Sequence, residues 1–432
     1  MQSESMPARP CKERITDYAP QGLLTRRAHG WLDRWMKRSV LRLAERLRHG
    51  ALSIQDGDEM LHFGDSATAT DLQATVQVLD SRFYRAVGLG GSTGAGEAYR
   101  EGWWRCDDLA GLVRIIVRNT DLFYGIDSGW GRLTEPFHRL FHFLHRNTLA
   151  GSRKNIAAHY DLGNDFYRIF LDETMNYSSA YFTEPDMSLE AASTEKMERL
   201  CRQLALRPED HLLEIGTGWG GLALHAATRY GCRVTTTTIS AEQYAHARAE
   251  VERCGLSEQI TVLFSDYRDL RGSFDKIVSV EMLEAVGHAY FPVFFQQCAR
   301  LLRPDGLMAL QTITIKDQQY EASKNYVDFV KRYIFPGGCL PSVTALSRVM
   351  TRYTDLGMLH CESFGQHYAT TLRLWRARFM AQRDVVARLG YDASFQRLWE
   401  FYLAYCEGAF AERHINVVQM LLARPDYRQD GA

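Results

Sequence analysis

A glycine-rich loop carries the clearest chemistry in the sequence. Gly216, Gly218, Gly220 and Gly221 lie in one stretch between the apolar segment 211–215 and a helical pattern. Glycine lets a backbone turn tightly and approach a ligand closely, and the N-terminus of a helix supplies free N–H groups and positive potential. We therefore expect this loop to bind a nucleotide-like cofactor.

The neighbours of the loop indicate which cofactor. The glycine spacing also fits the dinucleotide pattern, but a nicotinamide enzyme places an acidic residue at the end of the second strand, and here that strand ends in the uncharged run 238–240. Glu214 lies two residues before Gly216, and Asp266 follows the third strand, as in methyltransferases that bind S-adenosylmethionine. The neighbours favour S-adenosylmethionine.

Short apolar strands alternate with helical patterns around this loop. The predicted strands are 211–215, 232–239, 260–263, 274–280 and 307–311. Such alternation predicts an α/β fold with a doubly wound, mostly parallel sheet, whose ligand lies beyond the carboxyl ends of the strands. After about residue 320 the pattern becomes helical and aromatic, and we expect helical lid insertions over the pocket.

A smaller α+β domain is predicted before this sheet. Short alternating stretches follow residue 50, and the glycine cluster 88–96 lacks the Lys-Ser/Thr ending of a phosphate-binding loop, so we interpret it as a turn. The predicted organisation is a small α+β domain over 1–125, a linker over 126–152 and the cofactor-binding domain over 153–425.

The N-terminal segment is basic and amphipathic. Residues 1–50 hold eleven Lys/Arg against five Asp/Glu, and helical spacing puts Trp31, Trp35, Leu43 and Leu47 on one stripe. This helix could lie on an anionic bilayer surface, or it could dock on its own domain with a solvated basic face. The sequence leaves both interpretations open.

Composition excludes some function classes. The 432 residues carry a net charge of −1, which argues against nucleic-acid binding. No apolar run approaches the roughly 20 residues that span a bilayer, and no signal-peptide pattern is visible, so we expect a cytoplasmic protein. The nine cysteines are scattered singly, and no metal site is expected.

From about residue 153 to 425 the chain resembles the cyclopropane fatty acid synthase family. The matching runs are 158–167, 238–243, 266–270, 333–342 and 406–410, together with the glycine loop. The resemblance implies a class I methyltransferase fold, S-adenosylmethionine as cofactor and the double bond of an unsaturated phospholipid acyl chain as substrate. It also implies action at the inner membrane surface, and it leaves a homodimer open.

The resemblance also assigns residues to the site. The positions expected around the cofactor are Tyr160, Tyr177, Glu214, Gly216, Gly218, Gly220, Thr238, Gln243, Asp266 and Tyr267. The family's catalytic site holds a bicarbonate ion bound by a cysteine, a glutamate, a histidine, a backbone amide and a tyrosine. Glu284, the Ile313 amide and Tyr368 match three of these ligands, whereas Ser179 replaces the cysteine and Gln311 replaces the histidine.

The expected chemistry is methyl transfer to an alkene. Transfer leaves a carbocation, which closes to a cyclopropane if a base removes a proton from the new methyl group. Loss of another proton, or capture of hydride, gives a methylene or methyl-branched chain. We expect cyclopropane formation, with methylene or methyl-branched products as the alternative and a lipid-binding protein with a relic methyltransferase fold as the non-enzyme alternative.

Overall fold

The computed structural model describes residues 30–64, 72–122, 162–324 and 326–428. The chain divides into two compact units, Met1–Leu122 and Phe123–Ala432. The first unit ends at Leu122, three residues before residue 125, the predicted end of the first domain. The predicted linker 126–152 lies outside the described residues, and the proposed domain boundaries stay predictions.

In the described residues 30–64 and 72–122, the smaller unit packs three helices with a four-stranded sheet in the order β2-β1-β3-β4. Strand β1 pairs antiparallel with β2 and parallel with β3, and β3 pairs antiparallel with β4. The elements are α1 (Trp31–Ala44), β1 (Ala51–Asp56), β2 (Glu59–Gly64), β3 (Gln73–Val78), α2 (Arg82–Arg100), β4 (Trp104–Cys106) and α3 (Leu109–Arg118).

The glycine cluster 88–96 lies inside α2, so the predicted turn was wrong. The helix kinks at Gly91, whose φ of 52° and ψ of −134° are not helical. A Cβ at Gly88 would lie 2.7 Å from the Met36 sulfur, and one at Gly94 would strike the carbonyl of Ala86. Glycine therefore serves here to kink the helix and to let α1 approach it closely.

The N-terminal helix α1 divides the predicted stripe between two faces. Met36, Ala44 and Leu47 are buried, whereas Trp31 is 75% exposed and Trp35 is 46% exposed. An advance of 3.6 residues per turn places the two tryptophans on the outer side and Met36 on the inner side, while Leu47 lies beyond the end of the helix. The apolar side docks on the helix's own unit, and the tryptophans face outward.

The larger unit contains a seven-stranded sheet in the order β10-β11-β9-β8-β5-β6-β7. Its strands are β5 (His211–Ile215), β6 (Arg233–Thr238), β7 (Ile260–Phe264), β8 (Phe274–Val280), β9 (Leu302–Ile315), β10 (Gly357–Ser363) and β11 (Ile415–Ala423). Four neighbouring pairs are parallel, and β11 pairs antiparallel with β9 and β10. The predicted doubly wound, mostly parallel α/β sheet is confirmed.

Helices cover both faces of this sheet, and further helices follow strand β9 along the chain. They are α4 (Asn164–Arg168), α5 (Leu189–Gln203), α6 (Gly221–Tyr230), α7 (Ala241–Arg253), α8 (Phe291–Leu301), α9 (Asp317–Ser323), α10 (Phe329–Tyr333), α11 (Val343–Tyr353), α12 (Gly365–Ala381), α13 (Arg383–Arg388) and α14 (Ala393–Ala411). One hydrophobic core centres on Phe294, Phe295 and Leu310, and the other on Leu200, Leu222 and Val234.

Two strands occur where the sequence predicted only helices. Strand β10 is an exposed edge strand, so it lacks the apolar alternation that marks a half-buried strand. Strand β11 lies between β10 and β9 and is largely buried, and its apolar run is too short to distinguish a strand from a helix by periodicity.

In the described part of the chain, no helix is long and apolar enough to cross a membrane.

Candidate active site

The glycine loop has the geometry of a cofactor cradle. Gly216, Gly218 and Gly220 adopt φ values of 102°, 52° and 95°, which side chains rarely tolerate. The Gly216 amide donates to the Thr237 carbonyl and anchors the loop to β6. A Cβ built on Gly218 would meet no heavy atom within 4 Å. The loop therefore leaves open space beside the N-terminus of α6, which fits S-adenosylmethionine.

The carboxyl ends of β6 and β7 place three further predicted residues beside this loop. The Thr238 hydroxyl donates to the Gln243 side-chain oxygen at 2.9 Å. Asp266 caps the 3₁₀ turn Tyr267–Asp269 and accepts two hydrogen bonds from the Arg268 guanidinium. Carboxyl ends of neighbouring parallel strands meet at one edge of a sheet, so these residues border the pocket.

Of the predicted cofactor contacts Tyr267 and Tyr160, the structure describes only Tyr267. Tyr267 packs its ring against Phe294, and its buried hydroxyl has no hydrogen-bond partner among the described residues. Its contact with adenine stays a prediction. Tyr160 lies outside the described residues.

Glu214 is buried within β5. It accepts a hydrogen bond from the Thr236 hydroxyl at 2.6 Å. Burial raises its pKa to about 8, against the effects of Thr236 and of the buried Lys196 ammonium. Glu214 is therefore held inside the sheet by its neighbours, and its predicted contact with the cofactor stays a prediction.

Glu284 lies in a 3₁₀ turn after β8 and projects toward β9. Its Oε1 atom accepts hydrogen bonds from the Thr312 hydroxyl at 2.8 Å and from the Ile313 amide. Its Oε2 atom is buried and has no partner in the part of the chain that the structure describes. The structure thus brings Glu284 and Ile313 together, as predicted from the resemblance, but through a direct hydrogen bond.

A second carboxylate, Glu281, occupies the centre of the same site. Its Oε1 atom accepts from the Ser179 amide at 2.9 Å and from Gln311 Nε2 at 2.7 Å, and its carboxylate also accepts from the Tyr368 hydroxyl. Our sequence analysis did not assign this residue. Its motif gave a signal, since a second acidic residue lies three positions before Glu284.

Ser179 and Gln311 serve Glu281 in different ways. Ser179 contributes its backbone amide, while its hydroxyl donates to the Ala180 carbonyl at 3.0 Å. The Gln311 side-chain oxygen accepts from Gln419 Nε2 at 2.9 Å, which turns the amide nitrogen toward Glu281. The side chain of Ser179 therefore takes no part in binding the carboxylate.

These contacts occupy the donors of the residues that the resemblance assigned to the bicarbonate ion. The Ser179 amide, Gln311 and Tyr368 all donate to Glu281, and the Ile313 amide donates to Glu284. A buried anion needs hydrogen-bond donors to offset the loss of hydration. The described residues therefore do not fit the predicted bicarbonate.

The charge of the carboxylate pair is strongly perturbed. Burial raises the pKa of Glu281, and burial together with the charge of Glu281 raises the pKa of Glu284 to about 8. The Lys196 ammonium, itself buried, offsets part of the negative charge. Two adjacent buried carboxylates resist double ionisation, in agreement with the raised pKa values of both groups.

Aromatic side chains from helices α12 and α14 cover this site. Tyr177 stacks on Trp375 with ring centroids 5.3 Å apart, and its hydroxyl lies 2.9 Å from that of Tyr402. Tyr368 packs against Phe410. Helices α12 and α14 supply these partners of Tyr177, so aromatic side chains cover the region beside the carboxylates.

Comparison with known proteins identifies the family. The family model for mycolic acid cyclopropane synthetase matches residues 148–420. The chain is 40% identical to the tuberculostearic acid methyltransferase UfaA1 of Mycobacterium tuberculosis, over 79% of this chain and 81% of that protein. It is 36% identical to the cyclopropane-fatty-acyl-phospholipid synthase of Escherichia coli, over 85% of this chain and 92% of that protein.

A solved structure supports the same assignment. The mycolic acid cyclopropane synthase CmaA1, complexed with SAH and CTAB, superposes with a TM-score of 0.59 at 32% identity, over 63% of this chain and 98% of that chain. The sheet order and the glycine cradle agree with the class I methyltransferase fold. The chain therefore belongs to the cyclopropane fatty acid synthase family and is an S-adenosylmethionine-dependent methyltransferase.

Proposed function

We propose that this enzyme methylates the double bond of an unsaturated phospholipid acyl chain and closes it to a cyclopropane. The observation that carries the proposal is a pair of buried carboxylates, Glu281 and Glu284, beneath an aromatic roof in the same unit as the cofactor loop. The phospholipid substrate is supported by the 92% coverage of the Escherichia coli relative, whose name specifies a fatty-acyl phospholipid.

The residues of the site suit a reaction through a carbocation. S-Adenosylmethionine supplies an activated methyl group on a positively charged sulfur. The rings of Tyr177 and Trp375 offer π faces, each of which stabilises a nearby cation by roughly 0.5–2 kcal/mol. The ring of Tyr181 is already occupied, because it stacks on His367 and lies under the Arg199 guanidinium, whose carbon is 4.4 Å from the ring centroid.

Methyl-branched or methylene-bearing chains are the second candidate product. The observation that favours them is the 40% identity to a relative named for tuberculostearic acid methylation. Both candidate products begin with the same methyl transfer. They differ in how the cation is resolved, so the groups around the carboxylates control the outcome.

Product analysis with deuterated cofactor tests the proposal. The enzyme is incubated with unsaturated phospholipid vesicles and S-adenosylmethionine that carries a CD₃ group, and the acyl chains are analysed by mass spectrometry and NMR. We expect upfield ring signals and a ring methylene that retains two deuterium atoms. Vinylic signals would identify a methylene product, and no transfer to any unsaturated lipid would favour the relic lipid-binding protein.

We further propose that the outer face of α1 binds an anionic bilayer at the cytoplasmic surface. Trp31 and Trp35 share this face with Arg34, Arg38 and Arg42, all of which are exposed. Tryptophan partitions to the membrane interface, and each arginine near an anionic surface contributes about 1 kcal/mol. The acidic residue of the helix, Asp33, faces inward toward Arg85.

We expect Trp31→Ser with Trp35→Ser to reduce turnover on phosphatidylglycerol vesicles several-fold but to leave turnover on detergent-dispersed lipid unchanged. Point changes are preferable to deletion of α1, because the inner side of α1 covers its own domain through Met36. Vesicle sedimentation and product formation measure the effect. The control, Met358→Ser with Leu359→Ser, changes two exposed residues of β10. Equal losses in both lipid assays would contradict membrane docking by α1.

A further inference from the structure

Glu281 occupies an unusual backbone position. Its φ is 49°, a left-handed value that favours glycine and is uncommon for a residue with a side chain. Such strain persists only where the surroundings hold it, and it concentrates at functional sites. Here three hydrogen-bond donors from separate segments converge on one carboxylate, two of them on its Oε1 atom.

We propose that the Glu281 carboxylate replaces the diffusible bicarbonate and is itself the base of the reaction. This inference rests on the proposed alkene methylation. The donors that the resemblance assigned to bicarbonate are the groups that bind Glu281, apart from the Ile313 amide, which binds Glu284. A tethered carboxylate provides the same acceptor oxygens without the entropy loss of binding a free ion.

The surroundings of Glu281 are built to hold a charge. Arg199 and Gln203 donate to the Gln419 side-chain oxygen at 3.0 and 3.3 Å, and the Gln419 amide in turn fixes Gln311. This chain of hydrogen bonds keeps the Gln311 N–H directed at the carboxylate. The Lys196 ammonium, held by Asn176 and Ser178, supplies compensating positive charge.

The location of Glu281 gives it access to a substrate. It lies deep in the domain, yet the residue keeps some accessible surface. It follows β8 directly, at the carboxyl edge of the sheet, and Met282, the next residue, would lie 3.2 Å from a Cβ at Gly216 of the cofactor loop. The chain segment that carries this carboxylate therefore lies next to the cofactor cradle.

The proposed step balances without another reactant. Methyl transfer forms a bond between the methyl carbon and one alkene carbon, breaks the S–CH₃ bond with its electron pair left on sulfur, and leaves the second alkene carbon cationic. Glu281 then accepts a proton from the new methyl group, and the electron pair of that C–H bond closes the ring. The neutral Glu281 finally releases the proton to water.

Two substitutions separate the base from its framework. Glu281→Gln keeps the shape of the side chain but cannot accept the proton. Glu281→Gly suits the left-handed backbone and leaves the Ser179 amide, Gln311 and Tyr368 open for an added anion. We expect both full-length variants to bind S-adenosylmethionine as the wild type does in calorimetry, because the glycine cradle is unchanged.

Bicarbonate binding tests the replacement without any lipid. In ¹³C NMR with labelled bicarbonate, we expect Glu281→Gly to bind the ion and the wild type not to bind it. Equal binding by the wild type, or no binding by Glu281→Gly, would overturn the inference. This measurement stands even if no lipid substrate is turned over.

Turnover in buffer stripped of carbon dioxide tests the base. We expect the wild type to be unaffected by added bicarbonate, Glu281→Gln to lose roughly a hundredfold in rate, and Glu281→Gly to recover at least roughly tenfold when bicarbonate is added. A wild type that needs bicarbonate, or a fully active Glu281→Gln, would overturn the inference. Absence of wild-type turnover on every unsaturated lipid would contradict the proposed function instead, and the NMR result would then decide the inference.

Discussion

Valine at position 218 is expected to weaken S-adenosylmethionine binding by roughly a hundredfold or more, a loss of about 3 kcal/mol. A side chain at Gly218 would project into the open space beside the N-terminus of α6, where no protein atom lies within 4 Å of a Cβ. Because that space is the cofactor cradle, the added methyl groups would displace the ligand. Calorimetric titration measures the effect, and circular dichroism checks the fold.

The left-handed backbone of Gly218 calls for a matched control. Gly255 has a φ of 69° and also meets nothing within 4 Å, but it follows α7 outside the site. Valine at either position brings similar backbone strain, of roughly 1–2 kcal/mol. We expect Gly255→Val to lower thermal stability as much as Gly218→Val does and to leave cofactor affinity intact. A folded Gly218→Val protein with wild-type affinity would show that the cofactor does not use this loop.

Glutamine at position 284 is expected to reduce turnover at least roughly tenfold, which corresponds to about 1.4 kcal/mol of barrier stabilisation. Glu284 Oε2 is buried without a partner among the described residues. The negative charge of Glu281 contributes to the raised pKa of Glu284. An amide would keep the hydrogen bonds from Thr312 and Ile313 but could neither accept nor release a proton. Steady-state release of S-adenosylhomocysteine measures the effect, and Thr312→Val is the control that removes one hydrogen bond but no carboxylate.

The same substitution has a predicted signature in stability against pH. The pKa of Glu284 is about 8 in the folded protein and lies near 4.5 when the residue is exposed. Between these values the unfolded chain loses this proton first, so folding stability falls as pH rises. We expect the thermal midpoint of the wild type to fall more between pH 6 and pH 8 than that of Glu284→Gln. Equal falls in scanning calorimetry, or full activity of Glu284→Gln, would remove Glu284 from the proposed reaction.

Several features of this protein follow from its sequence alone because they depend on local patterns. Strands β5 and β8 coincide with the predicted segments 211–215 and 274–280, since buried parallel strands appear as short continuous apolar runs. The glycine loop requires left-handed backbone that glycine adopts at little cost. Family membership follows from motifs distributed over the larger unit and agrees with the match to residues 148–420.

Other features depend on contacts between distant segments. The glycines of α2 look like a turn in sequence, but they permit a kink and close packing on Met36. Strand β11 pairs with β9, more than a hundred residues earlier in the chain, and neither local propensity nor periodicity specifies that pairing. The sequence predicted an apolar stripe that includes Trp31. In the structure α1 docks with Met36 buried and leaves Trp31 exposed.

The candidate active site combines residues that the sequence predicted with contacts that only the tertiary structure reveals. Glu284, Ile313 and Tyr368 were predicted by motif, and the altered Ser179 and Gln311 marked a departure from the family. Only the tertiary structure reveals why the departure is tolerated, because Glu281 reaches the donors from Ser179, Gln311 and Tyr368 on three separate segments. The sequence determined which groups were present, and the fold decided which of them meet, since hydrogen bonding and burial depend on distances that no local pattern contains.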